Sequence, residues 1–325
     1  MTFPDILKLL EDDLQAVERA IQGNFTSDVS LIPIIGRYLS QGGGKRIRPV
    51  LVLISSKLCG YQGGNRHILY SCIVEFIHTA TLLHDDVVDG ADRRRGNPSA
   101  NSKWGNEASV LVGDFLFSKS FALMTNDGDQ RTLDAMSDTT LKLAEGEVLE
   151  LVKTCDVETA ENEYLDVAFR KTAALISTCC RLGALLAKAS SEREKALLDF
   201  GTHVGLAFQL VDDALDYIAS EERLGKPVGK DLQEGHVTLP LIHTYGKATA
   251  RERDEIRDIV AADVISEPHL KRILGLIEKY GGIDYTMSRA RDLVAQAKQE
   301  LAIFEDSCYL QALRTVADYI VERDQ

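Results

Sequence analysis

Apolar residues return every three or four positions along almost the whole chain, and nowhere does the period-two alternation of a half-buried strand replace them. The clearest run is Leu197, Phe200, Val204, Phe208, Val211 and Leu215, which fall on one helix face that must be packed. With only 7 prolines in 325 residues to interrupt it, the pattern predicts an all-α protein. Helices are expected near 5–22, 28–40, 47–59, 66–89, 107–125, 130–153, 161–189, 192–219, 238–262, 267–280, 284–304 and 309–322. The glycine-rich and polar punctuation between them is short, and no linker, low-complexity tract or short-period repeat appears. Residues 1–325 therefore read as a single domain.

Two of these helices end in the same acidic signature, Asp85-Asp86-Val87-Val88-Asp89 and Asp212-Asp213-Ala214-Leu215-Asp216. At 3.6 residues per turn the first and last carboxylates share a face, with the second beside them. Like charges so crowded need full solvation or a divalent cation, and hard oxygen ligands suit Mg²⁺ or Mn²⁺. Both clusters follow apolar runs, Phe76 to Leu83 and Val204 to Val211, so they sit at the ends of buried helices rather than in a polar tail. The repetition suggests a metal-bridged polyanion.

Cations accompany the acids. Gly42-Gly43-Gly44-Lys45-Arg46-Ile47-Arg48-Pro49 delivers three basic side chains into a helix start, where backbone N–H groups also favour an anion. It is not a P-loop, since Arg46 rather than Ser or Thr follows Lys45. Arg93, Arg94 and Arg95 follow the first acidic cluster, and guanidinium forks suit phosphate oxygens. A formal net charge of -13 argues against a nucleic-acid partner. No run of about 18 uncharged apolar residues predicts a membrane span, and no secretory leader is evident. The 6 cysteines include no Cys-x-x-Cys pair and mostly lie among apolar residues, which suits reduced thiols and a cytoplasmic location.

The runs Gly42 to Pro49, Glu75 to Asp89, Arg94-Arg95-Gly96, Leu111 to Phe115, Phe208 to Asp216 and Gly225 to Leu232 together resemble the trans-prenyltransferases, or isoprenyl diphosphate synthases. The resemblance covers nearly the whole chain and is greatest to bacterial long-chain synthases of the octaprenyl type, which supply quinone side chains. It implies an isoprenoid-synthase-type helical bundle around a central cavity, a homodimer, and at most transient membrane contact when a greasy product leaves. It also implies two substrates, isopentenyl diphosphate and an allylic diphosphate such as farnesyl or geranylgeranyl diphosphate.

On that resemblance Asp85, Asp86, Asp89, Asp212, Asp213 and Asp216 hold Mg²⁺ against the allylic diphosphate, with Arg94, Lys171 and Lys226 as cationic contacts and Lys230 as a further candidate. Lys45, Arg48, His78 and Arg95 match the positions that hold isopentenyl diphosphate. Thr172 and Gln209 match positions whose oxygens face the developing allylic cation, although either could equally pack or bond locally. Ile77, Ala80 and Thr81 are expected to line the path of the growing chain. Phe117, Phe121 and Met124 are alternative floors for it.

Two positions depart from the family pattern: Glu150, where Gln is frequent, and His236, where Lys is frequent. Neither is expected to touch the metal motifs. His84 reads as a satisfied core histidine. The competing readings are a shorter-chain synthase, a terpene cyclase, a non-catalytic partner subunit, and a metal phosphohydrolase that uses the His84-Asp85 doublet. The second acidic cluster and the second set of cations speak against the cyclase and the hydrolase.

Overall fold

Among residues 1–41, 44–94, 96–218, 229–262 and 264–322, which a computed structural model of the chain describes, helix is broken only by turns and one hairpin of two-residue strands. That hairpin pairs Arg93–Arg94 antiparallel with Asn97–Pro98. The all-α expectation holds. Contacts group the residues into two compact units, residues 1–140, 178–198 and 303–315, and residues 141–177, 199–302 and 316–325.

The first unit is organised around one helix. Of α1 (Phe3–Leu9), α2 (Glu11–Asn24), α3 (Leu31–Gln41), α4 (Ile47–Leu58), α5 (Arg66–Val88), α6 (Ala100–Trp104) and α7 (Asn106–Asp127), α5 is the one against which α2, α4 and α7 all pack. Its residues Tyr70, Cys72, Ile73, Val74, Phe76, Ile77 and Ala80 are sealed from solvent. A helix apolar on every side belongs in a core, and each such large side chain contributes about 2 kcal/mol by burial. Arg66 forks onto Asp127 at 2.7 and 2.6 Å while the Tyr70 hydroxyl donates to the same residue at 2.9 Å, tying the start of α5 to the end of α7.

The expected helix 5–22 is divided at Leu10, whose φ of -108° and ψ of 13° leave the helical region. Helix α7 is long and apolar enough to cross a membrane by composition, with a mean hydropathy of 1.3 over 18 residues. The search for uncharged runs passed over it because Asp114 and Lys119 interrupt it. In the fold Val112, Leu116 and Met124 are buried, while Leu111 is exposed.

The second unit holds α9 (Glu161–Ala168), a π-helical turn (Phe169–Ala173), α12 (Lys230–Gln233), α13 (Leu239–Lys247), α14 (Ala250–Val260), α15 (Glu267–Tyr280) and α16 (Gly282–Glu300). Helices α8 (Gln130–Lys153), α10 (Ala174–Leu186), α11 (Ser191–Ile218) and α17 (Cys308–Glu322) contribute residues to each unit. Leu232, Leu241, Ile256, Ile273, Leu276 and Ile277 form a solvent-free core in the second.

The expected helix 238–262 is two, because Thr249 opens α14 with a reciprocal capping box. Its hydroxyl accepts from the Glu252 N–H and the Glu252 carboxylate accepts from the Thr249 N–H at 3.0 Å. Cys72, Cys179 and Cys180 are buried, and burial pushes the Cys72 thiol up to about 12; Cys155 and Cys308 are exposed.

Three free cations were expected at the start of α4, and one of them is spent on the fold. Arg46 adopts a left-handed backbone with φ 49° and turns inward, its guanidinium meeting Glu18 at 2.5 Å and the buried Glu75 of α5 at 3.0 Å. Lys45 stays exposed and Arg48 half-buried. Replacing Arg46 by Ala strands the Glu75 carboxylate, so urea denaturation of Arg46→Ala should show a loss of about 3 kcal/mol.

Candidate active site

In each acidic signature the middle carboxylate turns inward and the outer pair does not. At about 100° per residue, the second position of Asp-Asp-x-x-Asp faces away from the first and fifth, toward the side that the helix buries. Asp86 is 3% exposed, whereas Asp85 is half-buried and Asp89 exposed. The Arg94 guanidinium, carried by the hairpin, meets one Asp86 oxygen at 2.8 and 2.7 Å, and Asn101 donates to the Asp86 carbonyl at 3.0 Å. The hairpin is thereby fastened to the end of α5. Arg94, expected at a diphosphate, therefore has an internal partner in this state.

Other predicted residues of the first unit surround this helix end. His78 and Thr81 are half-buried, the Thr81 hydroxyl donating to the His78 carbonyl at 2.9 Å, and Ile77 and Ala80 are fully buried. His84 lies over Gly113 of α7, with its Nε2 3.1 Å from the Val110 carbonyl oxygen and its ring 5.9 Å from that of Phe117. It is a structural histidine, as expected. Arg95 and Lys226, like Gly42 and Gly43 of the basic turn, lie outside the described residues.

The second unit repeats the division of labour at the end of α11. Asp213 is 3% exposed, Asp212 exposed and Asp216 half-buried. The inward carboxylate accepts from the Tyr164 hydroxyl at 2.5 Å and from the Gln209 amide at 2.7 Å, and Gln209 in turn accepts from the Thr172 hydroxyl at 2.6 Å. Thr172 and Gln209 are thus joined to Asp213 by one hydrogen-bonded chain. Burial pushes Asp213 up to about 7, opposed by those two donors and assisted by the charges of Asp212 and Glu150. Asp216 accepts from the Asp231 N–H at 3.1 Å, which fastens the start of α12 to α11.

Asp231 is held well above the usual carboxylate range, first by burial and then by the charges of Asp213, Asp216 and Asp212. Carboxylates that raise one another in this way take up protons or a cation, so the donor set suits a divalent metal. Asp231, Glu234 and His236 also bring potential ligand atoms within 4.8 Å of one another. Lys230 is paired with Glu234 at 2.7 Å.

Lys171 and Thr172 are presented by the π-helical turn, which closes with the Ala174 N–H donating to the Phe169 carbonyl. Two glycines make room for it. A Cβ on Gly146 would sit 2.8 Å from the Lys171 nitrogen, and one on Gly205 would sit 2.5 Å from the Ala173 Cα. The Lys171 ammonium lies against Glu150 and at 3.2 Å from Glu147. The expectation that Glu150 and His236 stand apart from the site needs correction: Glu150 binds Lys171, and His236 lies 3.9 Å from Glu150.

Sequence reasoning missed Tyr164, Asp231, Asn101 and the two glutamates. Asp231 lies within a motif that was recognised, and the Glu147 to Glu150 spacing of one helical turn is visible. The role of Tyr164 has no local signal.

The family model described as polyprenyl synthetase matches residues 30–277. The chain belongs to the polyprenyl synthetase family. It is an enzyme of that family, a trans-prenyltransferase with the isoprenoid-synthase fold. It is 42% identical to octaprenyl diphosphate synthase of Haemophilus influenzae over 100% of this chain and 98% of that protein. It is 41% identical to the octaprenyl diphosphate synthase of Escherichia coli over 100% of both chains. A crystal structure of a polyprenyl synthase from Caulobacter crescentus, complexed with calcium and isoprenyl diphosphate, superposes with a TM-score of 0.94 at 38% identity, covering 100% of this chain and 98% of that one.

The glycine contacts set a test of this site. Gly205→Ala should displace the π-helical turn, lowering stability by about 1–3 kcal/mol in thermal unfolding and reducing prenyl transfer more than the lost stability accounts for.

Proposed function

We propose that this polyprenyl synthetase adds isopentenyl diphosphate units to farnesyl or geranylgeranyl diphosphate, giving an all-trans polyprenyl diphosphate of the octaprenyl type for a quinone side chain. The observation that carries the reading is the outward pair of carboxylates at the end of each signature helix, in a chain matched along its full length by octaprenyl diphosphate synthases. Residues 1–325 act as one polyprenyl synthase domain.

Asp85 and Asp89, and Asp212 and Asp216, offer their carboxylates to Mg²⁺ or Mn²⁺, with Asp86 and Asp213 setting the helix ends behind them. A divalent metal, when bound, supplies Lewis-acid charge to a departing diphosphate. Lys171, Arg94, Lys226 and Lys230 add cationic contacts to that diphosphate, and Thr172 and Gln209 turn oxygen dipoles toward the allylic carbon as its C–O bond breaks. Lys45, Arg48, His78 and Arg95 hold the second diphosphate as organic cations, so it stays attached. The isopentenyl double bond then supplies the electron pair of the new C–C bond. A proton leaves the adjacent carbon for the released diphosphate, and no side-chain base is required.

Two further statements belong to this reading. Leu111 on α7 in the first unit, and Leu141, Val148, Leu151 and Val152 on α8 in the second, are each 58% or more exposed, which supports a homodimer that covers them. The enzyme works in the cytoplasm and touches a membrane only to release its product.

Assays with farnesyl diphosphate and labelled isopentenyl diphosphate should find that Asp85→Asn and Asp212→Asn each lower turnover by about 100-fold or more. Chelation should abolish activity and added Mg²⁺ or Mn²⁺ restore it; turnover that survives chelation sinks the reading. Thr81→Phe narrows the path of the growing chain, so products sized by chromatography should become shorter while folding, followed by circular dichroism, is retained.

A further inference from the structure

Lys171 lies between Glu147 and Glu150, one helical turn apart on α8, and its ammonium makes its shorter contact with Glu150. The same Glu150 oxygen, Oε2, faces His236 Nε2 at 3.9 Å. All these side chains are about a fifth to a third exposed, so their charges are screened less than those of a surface pair. Glu150 also reaches the inner carboxylate of α11 electrostatically, since its charge is among those acting on Asp213. A carboxylate placed there opposes an incoming diphosphate twice: it repels the anion, and it occupies the lysine the anion would take.

We propose that Glu150 is a positioning residue that holds Lys171 away from the allylic diphosphate, with His236 sharing the Glu150 oxygen and taking it over when Lys171 leaves. The inference rests on the reading of Lys171 as a contact to that diphosphate. Glu147 keeps the lysine aligned from the neighbouring turn, so Glu150 is the competitor and not the sole support. Its consequence is a deliberately loose grip on the allylic end, one that eases departure of the pyrophosphate released in each round.

The test is a set of steady-state measurements with farnesyl and isopentenyl diphosphate on the full chain. Glu150→Gln keeps shape and removes charge, and should lower the KM for farnesyl diphosphate by about 3- to 10-fold. The KM for isopentenyl diphosphate should stay within about twofold, and inhibition by inorganic pyrophosphate should strengthen by about the same factor as the farnesyl effect. Glu150→Asp retains the charge and should leave the farnesyl KM near that of the parent. An unchanged or raised farnesyl KM in Glu150→Gln overturns the proposal.

Should Glu150→Gln fail to fold by circular dichroism, His236→Lys decides. A fixed cation at the shared oxygen draws Glu150 off Lys171 and should lower the farnesyl KM, and no change or a rise overturns the proposal. Lys171→Ala separates the two layers of argument. If it leaves the farnesyl KM unchanged, the assignment of Lys171 fails; if it raises that KM while Glu150→Gln does nothing, only the role of Glu150 fails.

Discussion

Burying a carboxylate at the end of a helix requires donors to meet it, and this requirement organises both ends of the candidate site. Asp86 is met by Arg94 and Asp213 by Tyr164 and Gln209. Each inward acid recruits a segment distant along the chain, the hairpin in one unit and the start of α9 in the other. The outward acids owe their orientation to this anchoring. Removing a donor from a buried carboxylate costs more than an ordinary hydrogen bond returns, so the anchors are specified more tightly than the residues they aim.

Much of this was legible in the chain. The 3.6-residue pattern marks α4, α5, α7 and α8 almost to their observed ends, because each buries a continuous stripe or its whole surface. The acidic signatures and the pairing of Thr172 with Gln209 could be located from motifs alone. The division at Thr249 was available too, since Thr249 and Glu252 form a capping box in plain sequence, but the apolar period runs through Ala248 and hid it.

Other features had no local signal. The inward turn of Arg46 depends on Glu18 and Glu75, 28 and 29 residues away. A glycine-rich basic turn looks the same whether its middle cation faces a ligand or the core. The partnership of Lys171 with Glu150 joins residues 21 apart across a helix-to-helix contact, and Tyr164 meets Asp213 across 49. Side-chain pairing across packed helices is decided by register, and register is what a single sequence does not display.

The π-helical turn between α9 and α10 has a consequence for how this chain tolerates change. A π turn carries one residue beyond the α-helical count, and that residue sets the rotational phase of everything after it. Deleting a single residue between Phe169 and Ala173 would let the helix run on as a regular α-helix, with the stretch from Ala174 to Leu186 rotated by about 100°. Leu175, Ile176, Cys179 and Leu182, all sealed from water, would swing off their packing surface together. Substitutions here are local events, but a change of length rephases an entire helix, so this turn is where the chain is least able to gain or lose a residue.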